Sequence, residues 1–275
     1  MDETAMNRLN DVTFVIPLRV DSPERSRNLD ILTDFITLHF DSRILVIEAD
    51  SRQRYFIRNN HHNLHYLFIE DDRHVFHRTR YMNILNATVD TPVIAGWDTD
   101  VVLAPQQIVD TVMQVRCGNA VMGLPYDGIM FNTTDELTRR YQDTLDYRIL
   151  IKNTNSLRPM YGNSSVGGGF IVDTEKYLRA GGENENFSGW GPEDCERVKR
   201  MEILYPQLIY RARGGMYHLW HPRYLNSWYA DKQYEINSKK EYLKVCGMSR
   251  DELRDYINSW PWLERLHKAS DSISL

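Results

Sequence analysis

The chain has 275 residues, of which 42% are hydrophobic and 26% are charged, and this balance is typical of a soluble globular protein with one large domain. The formal net charge is −5, which argues against a nucleic-acid partner, because a phosphate backbone requires a basic surface. The three cysteines are too few and too scattered for a disulfide framework, so a reducing compartment is expected.

The N-terminal residues are polar and lack the apolar core of a secretory signal. No stretch approaches the roughly 20 apolar residues that are needed to cross a bilayer. We therefore expect a cytoplasmic protein. A peripheral position at the inner membrane stays open, without a feature of the sequence that supports it.

The first half of the chain alternates between apolar runs rich in β-branched residues and segments with helical spacing of apolar residues. Such alternation predicts βαβ units and a largely parallel sheet. The predicted strands are 12–18, 43–48, 64–69, 92–97 and 120–124, and the predicted helices are one that begins at Ser22, 78–87 and 105–115.

The second half is more mixed. Residues 134–150 have helical character, 163–169 form a flexible turn, and a short helix at 174–180 ends at two glycines. Further elements are predicted as strands at 170–172, 207–212 and 215–219, a helix at 193–201, and a terminal helix that begins with a capping box at 249–252. We predict one domain over 1–230, with a nucleotide-binding half at about 12–124 and an acceptor half at about 125–230, followed by a helical extension over 231–275.

An Asp-x-Asp pair, Asp98 and Asp100, directly follows the strand predicted at 92–97. Ligands of open parallel sheets bind outside the carboxyl ends of the strands. Paired carboxylates at that position suit a hard divalent ion that bridges phosphate oxygens. The alternative is a pair of turn or helix-capping acids. We favour the metal site, with both aspartates as candidate ligands.

Two histidines, His218 and His221, are three residues apart at the end of the last predicted strand. Taken alone, they would be interpreted as surface or core histidines. Combined with an Asp-x-Asp elsewhere, mixed oxygen and nitrogen ligation suits Mn²⁺. The sequence does not rank the two, so both are candidate ligands.

The stretch Gly189-Trp-Gly-Pro-Glu-Asp194 is the most specific signal in the chain. Glycines on both sides of Trp190 let the backbone turn tightly and leave the indole face open to a sugar ring. Glu193 and Asp194 could simply be first-turn acids that complement a helix dipole. That interpretation does not account for the Gly-Trp-Gly before them, whereas a base beside an acceptor hydroxyl does.

Three glycines at 167–169 lack both the lysine of a phosphate-binding loop and the spacing of a dinucleotide-binding loop. A turn in close approach to a sugar and a plain loop are equally compatible with them. We place Gly168 and Gly169 on the acceptor side.

The glycine-flanked tryptophan stretch resembles the Trp-Gly-Gly-Glu-Asp signature of the β-1,4-galactosyltransferase C-terminal region. That signature also occurs in polypeptide N-acetylgalactosaminyltransferases and bacterial chondroitin-type polymerases. Over about residues 12–222, the order of motifs resembles metal-dependent GT-A glycosyltransferases. The resemblance implies an α/β, GT-A-like nucleotide-diphospho-sugar transferase fold, with a mostly parallel central sheet flanked by helices and a helical C-terminal extension. Pro192 departs from the signature, which has a second glycine there.

The resemblance also implies a donor site in which Asp100 coordinates Mn²⁺ (or Mg²⁺) and Asp98 lies close to the ribose or the metal. The histidine pair is similar both to a Met-x-x-His metal pair of the galactosyltransferases and to a His-x-x-Arg stretch of the N-acetylgalactosaminyl enzymes, in which the first position is the ligand. The other implied donor-binding residues are Pro17, Leu18, Arg19, Glu48 or Asp50, and Arg80.

The predicted function is transfer of a hexose or N-acetylhexosamine from a UDP-sugar to a glycan or lipid-linked saccharide, with inversion, in surface polysaccharide synthesis. Asp194 would act as the base, and Trp190 and Glu193 would hold the acceptor. One alternative is a sugar nucleotidyltransferase, although residues 18–23 are not the glycine- and lysine-rich loop of those enzymes. The other is a non-catalytic carbohydrate- or nucleotide-binding module.

Overall fold

Apolar runs of the sequence form the strands of two sheets in the computed structural model, which describes residues 7–268. A seven-stranded sheet has the order β10-β6-β9-β4-β1-β2-β3, and a four-stranded sheet has the order β5-β11-β7-β8. In chain order the strands are β1 (Asn7–Leu18), β2 (Phe40–Asp50), β3 (Leu64–Glu70), β4 (Val93–Trp97), β5 (Val101–Val102), β6 (Met122–Leu124), β7 (Met130–Asn132), β8 (Arg158–Pro159), β9 (Gly169–Asp173), β10 (Ile209–Arg211) and β11 (Met216–His218).

The large sheet is mostly parallel. Strand β1 pairs in parallel with β2 and β4, β2 with β3, and β10 with β6, whereas β9 runs antiparallel between β4 and β6. Helices cover both faces, which is why the second half of β1, residues 12–18, is mostly apolar and buried: Phe14 packs in the core on one face and Val15 in the core on the other. The predicted α/β fold with a mostly parallel sheet is confirmed.

The helices that flank the sheets begin and end close to the predicted bounds. Ser22 caps the first helix by accepting a hydrogen bond from the backbone N–H of Arg25, and Ser249 and Glu252 form the predicted capping box. In chain order the helices are α1 (Pro23–His39), α2 (Arg78–Thr88), α3 (Pro105–Arg116), α4 (Asp135–Gln142), α5 (Arg148–Asn153), α6 (Thr174–Arg179), α7 (Glu193–Leu204), α8 (Lys232–Cys246), α9 (Arg250–Asn258) and α10 (Leu263–Lys268).

The helical stretch predicted over 134–150 is two helices rather than one. Helix α4 ends at Gln142 and α5 begins at Arg148. Between them Leu145 has a φ of 51°, a left-handed conformation that interrupts a right-handed helix. The charge pattern of this segment gives no sign of that break.

Helices α8, α9 and α10 follow the last strand and enclose a small core of their own. Val245, Leu253 and Trp260 are buried in it, and it packs against Leu204 of α7. The division of the chain at residue 230 stays a prediction. Within residues 7–268, no helix has the length and apolar character that crossing a membrane would require.

Candidate functional site

A cavity of about 450 Å³ lies at the carboxyl ends of β1 and β4. Ligands of open α/β sheets bind at this edge. It is lined by residues from distant parts of the chain, and most of the predicted site residues are among them. The predicted residues that line it are Pro17, Leu18, Arg19, Asp98, Asp100, Gly168, Trp190, Glu193, Asp194, His218 and His221.

Two acids predicted on the donor side, Glu48 and Asp50, lie outside this lining. The Glu48 carboxylate is fully buried, accepts a hydrogen bond of 2.9 Å from the backbone N–H of Arg54, and is bonded by the hydroxyl of Tyr66. Asp50 pairs with the guanidinium of Arg54 at 3.0 Å. Both carboxylates therefore order the loop that follows β2.

Arg80 and Gly169 also lie outside the lining. The helix that carries Arg80 contributes Arg78 instead, whose Nη2 donates to Asp98 Oδ1 at 2.6 Å. Gly169 packs against the Trp97 ring, to which an added Cβ would lie at 3.1 Å. The glycine permits close packing of β9 on β4, rather than contact with a ligand.

Asp100, His218 and His221 form a compact group of potential metal ligands. One ligand atom from each lies within 4.8 Å of the others. His221 Nε2 is 3.1 Å from Asp100 Oδ2, and His218 Nε2 is 3.6 Å from Asp100 Oδ1. One carboxylate and two imidazoles suit Mn²⁺ or a similar divalent ion.

The small sheet assembles this group. Asp100 immediately precedes β5, and β11 pairs antiparallel with β5 so that His218 lies opposite Val101. The backbone N–H of Leu219 donates to the Asp100 carbonyl at 2.7 Å. The indole N–H of Trp97 donates to the Val101 carbonyl at 3.1 Å and closes the turn that carries both aspartates.

The electrostatics of the group favour the protonation states that bind metal. Burial lowers the pKa of His218 to about 4, so its imidazole is neutral at neutral pH. Burial would raise the pKa of Asp100, but His218, His221 and Arg25 lower it below its ordinary value. His221 Nδ1 lies 2.8 Å from the Pro222 carbonyl, which can accept a hydrogen bond from Nδ1–H, and in that tautomer Nε2 is free to act as a ligand.

Asp98 has a different environment from Asp100. Its Oδ1 accepts hydrogen bonds from the Arg78 Nε at 3.1 Å and Nη2 at 2.6 Å, and its backbone N–H donates to the Gly168 carbonyl at 2.9 Å. Burial raises its pKa, against the opposing effect of Arg78. The compact group of three ligands does not include Asp98.

The loop over residues 189–192, which contains Trp190, leads into α7 and places Asp194 at the same cavity. Gly189 has a φ of 71°, and the Trp190 ring meets the Tyr229 ring edge to face at 4.9 Å. Asp194 Oδ1 accepts from Arg197 Nη1 at 2.8 Å. A Cβ at Gly167 would lie 2.5 Å from Asp194 Oδ2, so only glycine leaves room for this carboxylate.

Glu193 is chemically distinct from the neighbouring acid. Its side chain is buried, and its Oε2 atom has no hydrogen-bond partner among the described residues. Burial, reinforced by the charge of Asp194, raises its pKa to about 8. The carboxyl group is therefore protonated at neutral pH and can donate a hydrogen bond.

Two cavity residues, Arg25 and Arg78, were missed by the sequence argument. Both begin helices that follow strands of the large sheet, in the first turn of α1 and at the first position of α2. That location is the available signal, because helix N-termini after parallel strands point to the ligand-binding edge. Charge alone could not separate them from the 33 Lys and Arg residues of the chain.

Part of the chain is similar to a known protein family. Residues 148–221 match a family described as the N-terminal domain of galactosyltransferase. No curated protein matches the chain in sequence.

Among solved structures, glucosyl-3-phosphoglycerate synthase of Mycobacterium tuberculosis, in complex with Mn²⁺, UDP and phosphoglyceric acid, has a TM-score of 0.54 at 13% identity, covering 86% of this chain and 78% of that one. The same synthase with Mg²⁺ and UDP has a TM-score of 0.51 at 13% identity, covering 86% and 79%. The catalytic domain of Drosophila β1,4-galactosyltransferase 7 with xylobiose has a TM-score of 0.43 at 16% identity, covering 76% and 65%.

These comparisons confirm the predicted GT-A-like fold and the predicted resemblance to GT-A glycosyltransferases. The family match over residues 148–221 agrees with the prediction of a galactosyltransferase-like glycosyltransferase, and the matched segment contains Trp190, Asp194 and both histidines. The group formed by Asp100, His218 and His221 (the Asp100 group) can hold a divalent ion such as those in the synthase structures, in agreement with the predicted Mn²⁺ or Mg²⁺.

Proposed function

We propose that the protein transfers a hexose or N-acetylhexosamine from a UDP-sugar to a hydroxyl of a glycan or lipid-linked saccharide, with inversion, in surface polysaccharide synthesis. One observation supports this above all. The Asp100 group and Asp194 face the same cavity, so a site for a diphosphate leaving group adjoins a potential base.

On the donor side, Pro17 and Leu18 at the end of β1, and Arg19 directly after it, would contact the nucleoside. Arg19 is fixed by hydrogen bonds to the Ala49 carbonyl and to Asp71, at 2.8 and 2.9 Å. A divalent ion held by Asp100 and the two histidines would supply the positive charge that stabilises the departing diphosphate.

On the acceptor side, Asp194 would take the proton of the acceptor hydroxyl. As that proton leaves, the hydroxyl oxygen forms a bond to the anomeric carbon, and the bond from that carbon to the UDP oxygen breaks on the opposite face. The sugar therefore inverts. Arg197 orients the base through its bond to Asp194 Oδ1 and is itself anchored by Glu183, at 2.6 Å.

Glu193 and Trp190 would hold the acceptor. A protonated Glu193 donates a hydrogen bond to a sugar oxygen, and the Trp190 ring offers an apolar face to a sugar ring. The two adjacent acids thereby have different roles, because burial keeps Glu193 protonated whereas Arg197 binds Asp194.

Glu193→Gln tests the proton on this carboxyl group. The pKa of Glu193 is about 8 in the folded chain, so its carboxyl group loses its proton above about pH 8. We expect the wild-type KM for the acceptor to increase at those pH values. Glutamine keeps a donor and does not ionise, so this part of the pH profile should flatten. Steady-state kinetics over pH check it. A variant profile that rises as in the wild type would contradict a protonated Glu193.

The same substitution has a consequence for stability. A carboxyl pKa raised from 4.5 to about 8 means that the folded chain retains a proton which the unfolded chain has lost. The free energy of unfolding should therefore fall as pH rises between these two values. We expect a smaller fall for Glu193→Gln, measured by urea unfolding at several pH values. Equal slopes for both proteins would contradict the raised pKa.

The histidines should differ in their effect on metal affinity. We expect His221→Ala to raise the Mn²⁺ concentration for half-maximal activity by about tenfold or more, and His218→Ala by less. His221 lies closer to Asp100 and is oriented by the Pro222 carbonyl. Exposed His65 provides the control, His65→Ala. Small and equal effects of both cavity histidines would argue that neither binds the metal.

Product analysis tests the proposed reaction itself. With a UDP-sugar, Mn²⁺ and a saccharide acceptor, NMR of the product should show an anomeric configuration opposite to that of the donor. A product with the same anomeric configuration as the donor would contradict the role of Asp194 as the base of an inverting reaction. Calorimetry of UDP with and without Mn²⁺ separates the alternatives, because a simple carbohydrate-binding module should show no metal dependence.

A further inference from the structure

A guanidinium of the chain occupies the neighbourhood of the metal-binding group. Arg25 Nη1 lies 3.0 Å from Asp100 Oδ2, the oxygen that also faces His221. Arg25 Nη2 lies 3.5 Å from each ring nitrogen of His221. The Asp100 carboxylate thus has a positive partner supplied by α1.

Arg25 is held from its other side by a second carboxylate. Its Nε donates to Asp21 Oδ1 at 3.0 Å, and Asp21 Oδ2 accepts from Asn226 at 3.1 Å. A guanidinium stays charged at all relevant pH values. One unit of positive charge is therefore shared between Asp21, outside the metal-binding group, and Asp100, within it.

The other arginines of the cavity differ in this respect. Arg19 pairs with Asp71, and Arg78 pairs with Asp98, and neither of those acids belongs to the group of three ligands. The fourth arginine of the lining, Arg223, lies over the Trp228 ring. Arg25 alone among these four arginines bonds a member of that group. Its position is thus specific to the metal-binding group, not a general feature of the cavity wall.

We propose that Arg25 is an internal counter-ion of the metal site, which competes with the divalent cation for Asp100 and sets the metal affinity in the absence of nucleotide. This inference rests on the proposed function, because it takes Asp100 as a metal ligand. When the ion binds, Arg25 gives up Asp100 and keeps Asp21. The site then carries an uncompensated positive charge until the diphosphate of the donor binds. Metal and nucleotide should accordingly bind with positive cooperativity.

Two substitutions with opposite expected signs test the competition. Arg25→Gln removes the competing cation, so we expect the Kd for Mn²⁺ without UDP to fall by about tenfold or more. Asp21→Asn removes the alternative partner of Arg25, so Arg25 is confined to Asp100 and the Kd for Mn²⁺ should rise. Arg139→Gln is the control, since Arg139 is exposed and pairs with Asp135 on α4. Calorimetry with Mn²⁺ alone measures all three.

Opposite signs distinguish competition from damage, because general disruption of the site would weaken Mn²⁺ binding in both variants. Weaker or unchanged binding in a folded Arg25→Gln variant overturns the inference. If that variant does not fold, the Nη–H resonances of Arg25 in the wild type give the answer, because Nη1 donates to Asp100: they should shift on addition of Mg²⁺, and no shift at saturation would contradict displacement. If the wild type binds UDP in a metal-dependent way but Arg25→Gln does not bind Mn²⁺ more tightly, only this inference is contradicted. Absence of any divalent-ion binding removes the proposed function as well.

Discussion

Asp194→Asn should lower the rate of sugar transfer by about 10²–10⁴-fold, the usual effect of removing a general base. Asparagine has the size and shape of aspartate but cannot accept the proton of the acceptor hydroxyl. Folding should persist, because Arg197 keeps its buried ion pair with Glu183 at 2.6 Å. UDP and Mn²⁺ binding should also persist, since Asp194 is assigned to the acceptor side of the cavity.

The measurement is the transfer rate at saturating acceptor, together with UDP affinity from calorimetry. Glu202→Gln is a matched control, because Glu202 lies on the same helix and its side chain is half exposed. Transfer by Asp194→Asn at the wild-type rate would contradict the assignment of the base. Loss of both transfer and UDP binding would indicate a structural role instead.

Asp100→Ala should lower activity by on the order of 10²-fold or more, because the group that holds the stabilising charge is lost. Mn²⁺ should no longer stimulate the residual activity. Asp100 lies at a turn between β4 and β5 and not within the apolar core, so the fold should be nearly intact. Arg25 would retain its bond to Asp21.

Activity and Mn²⁺ dependence are measured for Asp100→Ala and for a control, Asp110→Ala, whose carboxylate bonds Gln106 on the surface of α3. Circular dichroism checks the fold of each variant. Wild-type activity and unchanged Mn²⁺ dependence in Asp100→Ala would show that this carboxylate is not a metal ligand.

The sequence was sufficient for the large sheet and for the edge at which the site lies. Runs of β-branched residues such as that ending at Leu18 are buried on both faces and have few alternatives to a parallel strand. Asp100 could be proposed as a site residue because it follows a strand that ends at that edge, and Asp194 because it follows the glycine-flanked Trp190. Parallel pairing then brings distant segments of the chain to one cavity.

The other features of the site depend on contacts between distant segments, which no local sequence pattern indicates. Strand β11 lies within the strand predicted at 215–219, but its partner β5 has two residues, too short for any periodicity, and this pairing places His218 beside Asp100. Glu48 lies near the carboxyl end of β2, but its carboxylate accepts hydrogen bonds from backbone N–H groups of the chain itself. Arg25 and Asp100 are 75 residues apart, and their contact follows only from the folded sheet.

UDP release from a panel of UDP-sugars, with and without Mn²⁺, tests the central claim most directly. The account predicts that at least one UDP-hexose or UDP-N-acetylhexosamine yields UDP in the presence of Mn²⁺. EDTA should abolish this release, and so should Asp100→Ala. No release from any donor, together with UDP binding that is indifferent to Mn²⁺, would contradict a metal-dependent glycosyltransferase.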